Sequence, residues 1–304
     1  MAAIYFLFFG AFGAMGPYQG LYYKHLGLSG TQISVLMSML PVLLFVSQPL
    51  FGPLADRSGN RGRLLAYLLL AVGAAGLLMG VGTSFLTLLP LVMLWGFLYG
   101  PVVPIADSVA LGEAVRTGSS FPHIRLWGSI GFLIVTVAMG RLYTVIDLRW
   151  AFPIYALINV VAWKFASRLP AEGAPSRKLS FREMGRLLRN PFLLGLLLCG
   201  ALIQATLAAH ATFFTIHMAS IGGSSAMAGL GWGFSALTEV PVMMVLNRVT
   251  QRTGPLPLLV FASAMYALRW LLFSTVSVPA VLVGLQGLQS LTMAIFMPTA
   301  VVMI

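Results

Sequence analysis

Ten apolar runs divide this chain at short polar breaks: about 2 to 23, 32 to 51, 64 to 82, 86 to 109, 124 to 143, 150 to 167, 191 to 215, 225 to 246, 256 to 275 and 279 to 304. Each approaches the roughly 20 residues a helix needs to cross a bilayer. Hydrophobic residues make up 59% of the 304 and charged residues 8%, with a mean hydropathy of +0.94. That balance excludes a soluble domain and implies an all-α polytopic membrane protein. Residues 1 to 23 lack a basic leading segment and a small-residue cleavage site, so the first run reads as a retained helix. Cys199 lies alone in an apolar run, which excludes a disulfide framework and a CxxC metal site.

Basic residues set the orientation. Residues 52 to 65, GPLADRSGNRGRLL, form a polar knot between the second and third runs and hold Asp56, Arg57, Arg61 and Arg63 within eight residues. Such a knot reads as a short hairpin loop at a membrane face, and its arginines mark that face as cytoplasmic. Gly52 and Gly59 permit tight backbone geometry, while Asp56 accepts and the arginines donate charge-assisted hydrogen bonds. Thirteen of the 18 Lys and Arg fall in stretches assigned to the same side, against Lys24, Arg141 and Arg149 on the other. The net charge of +11 is therefore read as topology, not as a nucleic-acid patch. The amino terminus is expected in the cytoplasm.

The longest polar segment, 168 to 190, follows the sixth run and reads as a cytoplasmic linker between an amino-terminal bundle, 1–167, and a carboxy-terminal one, 191–304. Residues 247 to 259, NRVTQRTGPLPLL, echo the first knot at a constant offset of 195: Arg252 stands for Arg57, Gly254 for Gly59 and Leu259 for Leu64, with Gln251 in place of Asp56. On that offset the second half would end about 60 residues beyond Ile304, so an incomplete bundle of about four helices is expected, its uncovered surfaces small or polar.

Charges inside membrane spans are costly and default to functional hypotheses. Asp107 in span 4 and Arg125 in span 5 are placed to pair at the inner mouth of a cavity, or else are interfacial loop residues. Glu239 in span 8 and Arg269 in span 9 form a second candidate pair. A buried acid with an exchangeable partner suits proton coupling, and a static salt bridge is the alternative. His210 is placed near the outer end of span 7, where an interface histidine and a proton role both remain open. Tyr18, Gln19, Gln204, Gln286 and Gln289 are candidates to line a solute cavity or to bond helix to helix. No HExxH, GxSxG or metal-spaced His and Cys cluster is present to support an enzyme, and no GxxxxGK[ST] loop to support a nucleotide-driven pump.

Gly52, Asp56, Arg57, Gly59, Arg61 and Arg63 resemble the signature loop between helices 2 and 3 of the major facilitator superfamily, where they are expected to gate. Residues 125 to 132, RLWGSIGF, with Glu239-Val240-Pro241, Arg269-Trp270 and Gln286-x-x-Gln289, are similar to the branch containing 3-phenylpropionate transporters and related proton symporters. Lactose permease, in the same superfamily, is similar in carrying an acid and an arginine on spans 4 and 5. The resemblance covers nearly the whole chain, but Gln289 and Pro298 stand where that branch commonly has histidines. It implies a major facilitator fold of two parallel, pseudo-symmetric helix bundles, about ten helices present of an expected twelve. It further implies a monomeric secondary transporter in a bacterial inner membrane that uses no cofactor and couples protons to a small solute, an aromatic carboxylate first. Sugar or nucleoside symport, solute export and a non-transporting truncated fragment are the alternatives.

Overall fold

Hydrocarbon offers stray peptide groups no water, so an apolar run crossing it must close its hydrogen bonds within one helix or a sealed barrel. Runs rich in Leu, Ala, Met and Phe, near 20 residues long, favour the helix. The computed structural model describes residues 1–57, 59–118, 121–169 and 191–302, and among them the regular structure is helical throughout. The helices are α1 (Ala2–His25), α2 (Gly30–Arg57), α3 (Arg61–Met79), α4 (Phe85–Tyr99), α5 (Val102–Thr117), α6 (Phe121–Leu142), α7 (Ala151–Ala166), α8 (Pro191–Ser220), α9 (Ser225–Thr253), α10 (Pro255–Thr275), α11 (Pro279–Leu285) and α12 (Gln289–Val302). Eight stretches are long and apolar enough to cross a membrane by length and composition, with α4 and α5 counted as one and α11 and α12 as another.

Each expected run is helical, and two are broken. Span 4 is interrupted at Gly100-Pro101, after which α5 continues to Thr117, eight residues past the expected end. Asp107 consequently sits inside a helix, ten residues before its last, and not at its terminus. Span 10 is interrupted by a 3₁₀ turn at Gln286–Leu288. The hairpin expected at 52 to 63 is also shorter than its sequence suggests. Gly52 to Arg57 complete α2, and the turn is confined to the residues between Arg57 and Arg61. There Gly59 takes φ +63°, and the Asn60 side chain accepts from the Arg63 backbone N–H at 2.8 Å to cap α3. At the offset of 195, Gly254 likewise takes φ +79° between α9 and α10. Only glycine enters that region without strain, so both copies of the knot turn on the same residue type.

The chain divides into two compact units, Met1–Ser176 and Arg177–Ile304. The expected linker, apart from Arg168 and Leu169, lies outside the described residues. In the first unit α1 packs along α6 and α7, α3 along α7 and α4, and α2 along α4. The α1–α6 contact is set by small residues: a Cβ on Gly131 would overlap the Phe6 carbonyl oxygen, and one on Gly13 would press on the Thr136 hydroxyl. In the second unit α9 and α10 pack on α12, and α9 also on α11. The outward face of α8 mixes Ala201, Gln204, Ala205 and Ala208 with Leu194, Leu198 and Leu202, all exposed.

Gly131→Val is expected to separate α1 from α6 and to cost about 1–3 kcal/mol, the usual range for overpacking. Gly195→Ala, where an added Cβ meets nothing within 4 Å, should leave stability unchanged or raise it by up to about 1 kcal/mol. Thermal unfolding of both variants in detergent measures the difference.

Candidate functional site

In the first unit the polar residues gather on α1, α3, α5 and α6. The hydroxyl of Tyr5, a residue 2% exposed, donates to Asp107 Oδ1 at 2.5 Å, and Arg125 Nη1 donates to Asp107 Oδ2 at 3.3 Å. The pair is open to the surroundings, with side chains 53% and 25% exposed for Arg125 and Asp107. One residue on, Ser108 accepts from Arg61 Nη1 at 2.6 Å, so the turn after α2 is fastened to the helix that carries Asp107. Arg63 bends back on its own helix, donating to the Tyr67 hydroxyl at 3.1 Å. The side chains of Asp56 and Arg57 lie outside the described residues.

Tyr18 and Gln19 are spent on packing within the unit. Tyr18 donates to the Thr136 carbonyl at 2.7 Å, and Gln19 Nε2 donates to the Tyr23 hydroxyl at 2.7 Å. Both side chains are buried. Thr136 returns a bond to the Gly13 carbonyl at 3.2 Å, and Tyr143 bonds the Ala14 carbonyl at 2.8 Å. The glycines that let α1 and α6 approach also bring the Tyr18, Thr136 and Tyr143 hydroxyls within reach of backbone, so Tyr18 bonds across to α6, while Gln19 bonds within α1.

The second unit holds a different cluster. Arg269, on α10, is fully buried. Its Nη2 lies 3.0 Å from Gln286 Oε1 and 3.1 Å from His210 Nε2, and Gln286 Nε2 lies 3.1 Å from the same histidine nitrogen. A guanidinium only donates, so His210 Nε2 is the acceptor and keeps its lone pair there. Aromatic rings surround the group: the His210 centroid is 5.2 Å from Trp232 and 5.8 Å from Trp270, and the guanidinium carbon is 5.1 Å from the Phe273 ring. The 3₁₀ turn that breaks span 10 presents Gln286 to this cluster. It comes close because Gly231 and Gly287 leave room where side chains would strike Phe214 and Phe234.

The expected Glu239–Arg269 pair does not form. Arg269 turns toward α8 and the 3₁₀ turn, where His210 and Gln286 occupy its Nη2. Among the described residues Glu239 makes no hydrogen bond or ion pair, and Tyr266, one helical turn before Arg269, is within electrostatic reach of both charges. Gln204 is exposed on α8, away from the cluster. Gln289 is half-buried, its Oε1 without a partner. Sequence reasoning missed Tyr5, Ser108 and Trp232. Tyr5 is the one hydroxyl in an aromatic and aliphatic stretch, and that is the signal that could have drawn notice to it.

Bilayer-length helices with charged and amide groups bonded between them define a polytopic membrane protein. The MFS_1 like family model matches residues 1–304, and the chain belongs to that family of major facilitator superfamily transporters. It is 34% identical over 274 residues to the maltose permease of Geobacillus stearothermophilus, covering 89% of this chain and 69% of that protein. It is 24% identical to an Escherichia coli protein described as "Probable 3-phenylpropionic acid transporter", covering 93% of this chain and 76% of that one. Among solved structures it superposes on the nucleoside transporter NupG (D323A mutant) with a TM-score of 0.87 at 19% identity, over 99% of this chain and 81% of that one. The D-xylose-proton symporter follows the same fold, with a TM-score of 0.62 at 13% identity over 97% and 78%.

Two bonds of the first cluster differ in burial, and their deletion should show it. Tyr5→Phe leaves a partly buried Asp107 oxygen without its donor and is expected to cost about 1–2 kcal/mol. Arg125→Ala removes a half-exposed ion pair and should cost under about 1 kcal/mol. Unfolding of the two variants under identical conditions checks the order.

Proposed function

We propose that this protein is a secondary active transporter that couples proton entry to uptake of a small organic solute by alternating access. We place it in a bacterial cytoplasmic membrane, with its amino terminus in the cytoplasm. The observation that carries the reading is the presence in one unit of an acid, Glu239, without an ion-pair partner among the described residues, and of a buried arginine, Arg269, held by neutral groups. In a region with little water a carboxylate requires a cation or a proton, and breaking an existing buried pair is expensive. Glu239 therefore binds a proton in one state and gains Arg269 as a neighbour in another, and Arg269 exchanges partners through His210 and Gln286. The first unit contributes a gate: Arg61 on Ser108, with Asp107 between Tyr5 and Arg125, ties the turn after α2 to α5, α1 and α6.

A sugar is the second reading for the solute, favoured by the 34% identity to a protein named maltose permease. The neutral hydrogen-bonding groups of Gln286 and Gln289 suit hydroxyl-rich solutes.

Uptake of labelled benzoate and labelled maltose into proteoliposomes tests the proposal. One of them should accumulate several-fold when the interior is alkaline, and a protonophore should abolish the accumulation. Glu239→Gln should lose accumulation while retaining exchange of solute across the membrane. Equal accumulation with and without the pH gradient, or by Glu239→Gln at equal expression, contradicts proton coupling through this residue.

A further inference from the structure

Arg269 makes no ion pair among the described residues. The side chain is fully buried, and a guanidinium stripped of water is among the costliest groups to leave unpaired. Beyond Glu183 the sequence contains one acid, Glu239, and Glu239 makes no ion pair among the described residues. The groups that do touch Arg269 are a histidine and a glutamine, both meeting Nη2. Among the described residues its Nε and Nη1 have no hydrogen-bond partner, nor do Trp270 Nε1 beside it and Gln289 Oε1 one turn past Gln286. Three orphaned donors around one cation, walled by Trp270 and Phe273, describe a vacancy in charge and hydrogen bonding that a small anion satisfies.

We infer that Arg269, with Trp270 and Gln286, forms a binding site for a monovalent anion: the carboxylate of an aromatic or aliphatic solute, or a small inorganic anion. Nε and Nη1 lie on different edges of the guanidinium, and each can donate one charge-assisted hydrogen bond to an anion oxygen, while the rings favour an aromatic body attached to it. His210 and Gln286 hold Nη2, the nitrogen common to both donor edges, and fix the plane of the guanidinium. This assignment deepens the transporter reading by naming the charge of the solute, and it is tested by binding alone, so failure of transport leaves the binding result intact.

The test is tryptophan fluorescence of the purified full chain in a gluconate buffer, since Trp232 and Trp270 flank the cluster. Benzoate is expected to change the emission saturably, and its neutral isostere benzyl alcohol to have no effect. Arg269→Gln should weaken benzoate binding at least tenfold. Gln286→Glu supplies an internal carboxylate where Oε1 now accepts from Arg269. It should raise the melting temperature of the ligand-free protein and abolish the response to benzoate, a prediction that survives if Arg269→Gln fails to fold. A chloride titration separates the sources: response to benzoate without chloride assigns the site to a solute, and competition between the two assigns it to anions generally. Absence of response to either anion, undiminished benzoate binding by Arg269→Gln, or a Gln286→Glu protein no more stable than its parent overturns the assignment.

Discussion

A charge taken out of water needs a partner of opposite sign, and the two units of this protein meet that requirement differently. In the first, Asp107 receives bonds from Tyr5 and Arg125, and the cluster is half open, so water shares the stabilisation. In the second, Arg269 is fully buried among neutral and aromatic groups. The first arrangement is complete as it stands. The second has no ion pair among the described residues, and that unfinished balance gives the unit a reason to bind, to change conformation, or both.

Helix contacts place these groups. Glycines on α1 and α6 let the two backbones approach until Tyr18, Thr136 and Tyr143 bond carbonyls across the gap. Without an apolar driving force between helices in lipid, such close packing and bonding is what holds spans together. Departures from regular helix are equally local. Gly100-Pro101 separates α4 from α5, and the turn at Gln286–Leu288 separates α11 from α12. Each break lies within one element of a polar cluster, where freed backbone groups and bent helices are tolerated because neighbouring helices cover them.

The spans, the turn on Gly59, its echo on Gly254 and the family itself were legible in the sequence, because hydrophobic length and glycine chemistry are local properties. The end of α2 was not. Residues 52 to 57 look like a loop by charge and glycine content, yet Ala55, Asp56 and Arg57 tolerate helix, and the turn needs only the few residues before Arg61. Partner choice was the other failure. Glu239 and Arg269 lie on adjacent spans with opposite charge, which favours pairing on paper, but which way Arg269 points is decided by His210 and by a 3₁₀ turn that spacing does not reveal. Tyr18 reads equally well as cavity lining or helix contact, and its bond to the Thr136 carbonyl depends on the proximity of α6, which spacing does not reveal.

The account rests on two bundles that rearrange about polar groups lodged within them. Electron-spin distance measurement in nanodiscs is the direct test, with labels on Thr117→Cys and Gln251→Cys in a Cys199→Ala background. Two distance populations are predicted, whose ratio shifts when a solute that the reconstituted protein accumulates is added to saturation. A single distance, unchanged by solute at any pH, would contradict the account.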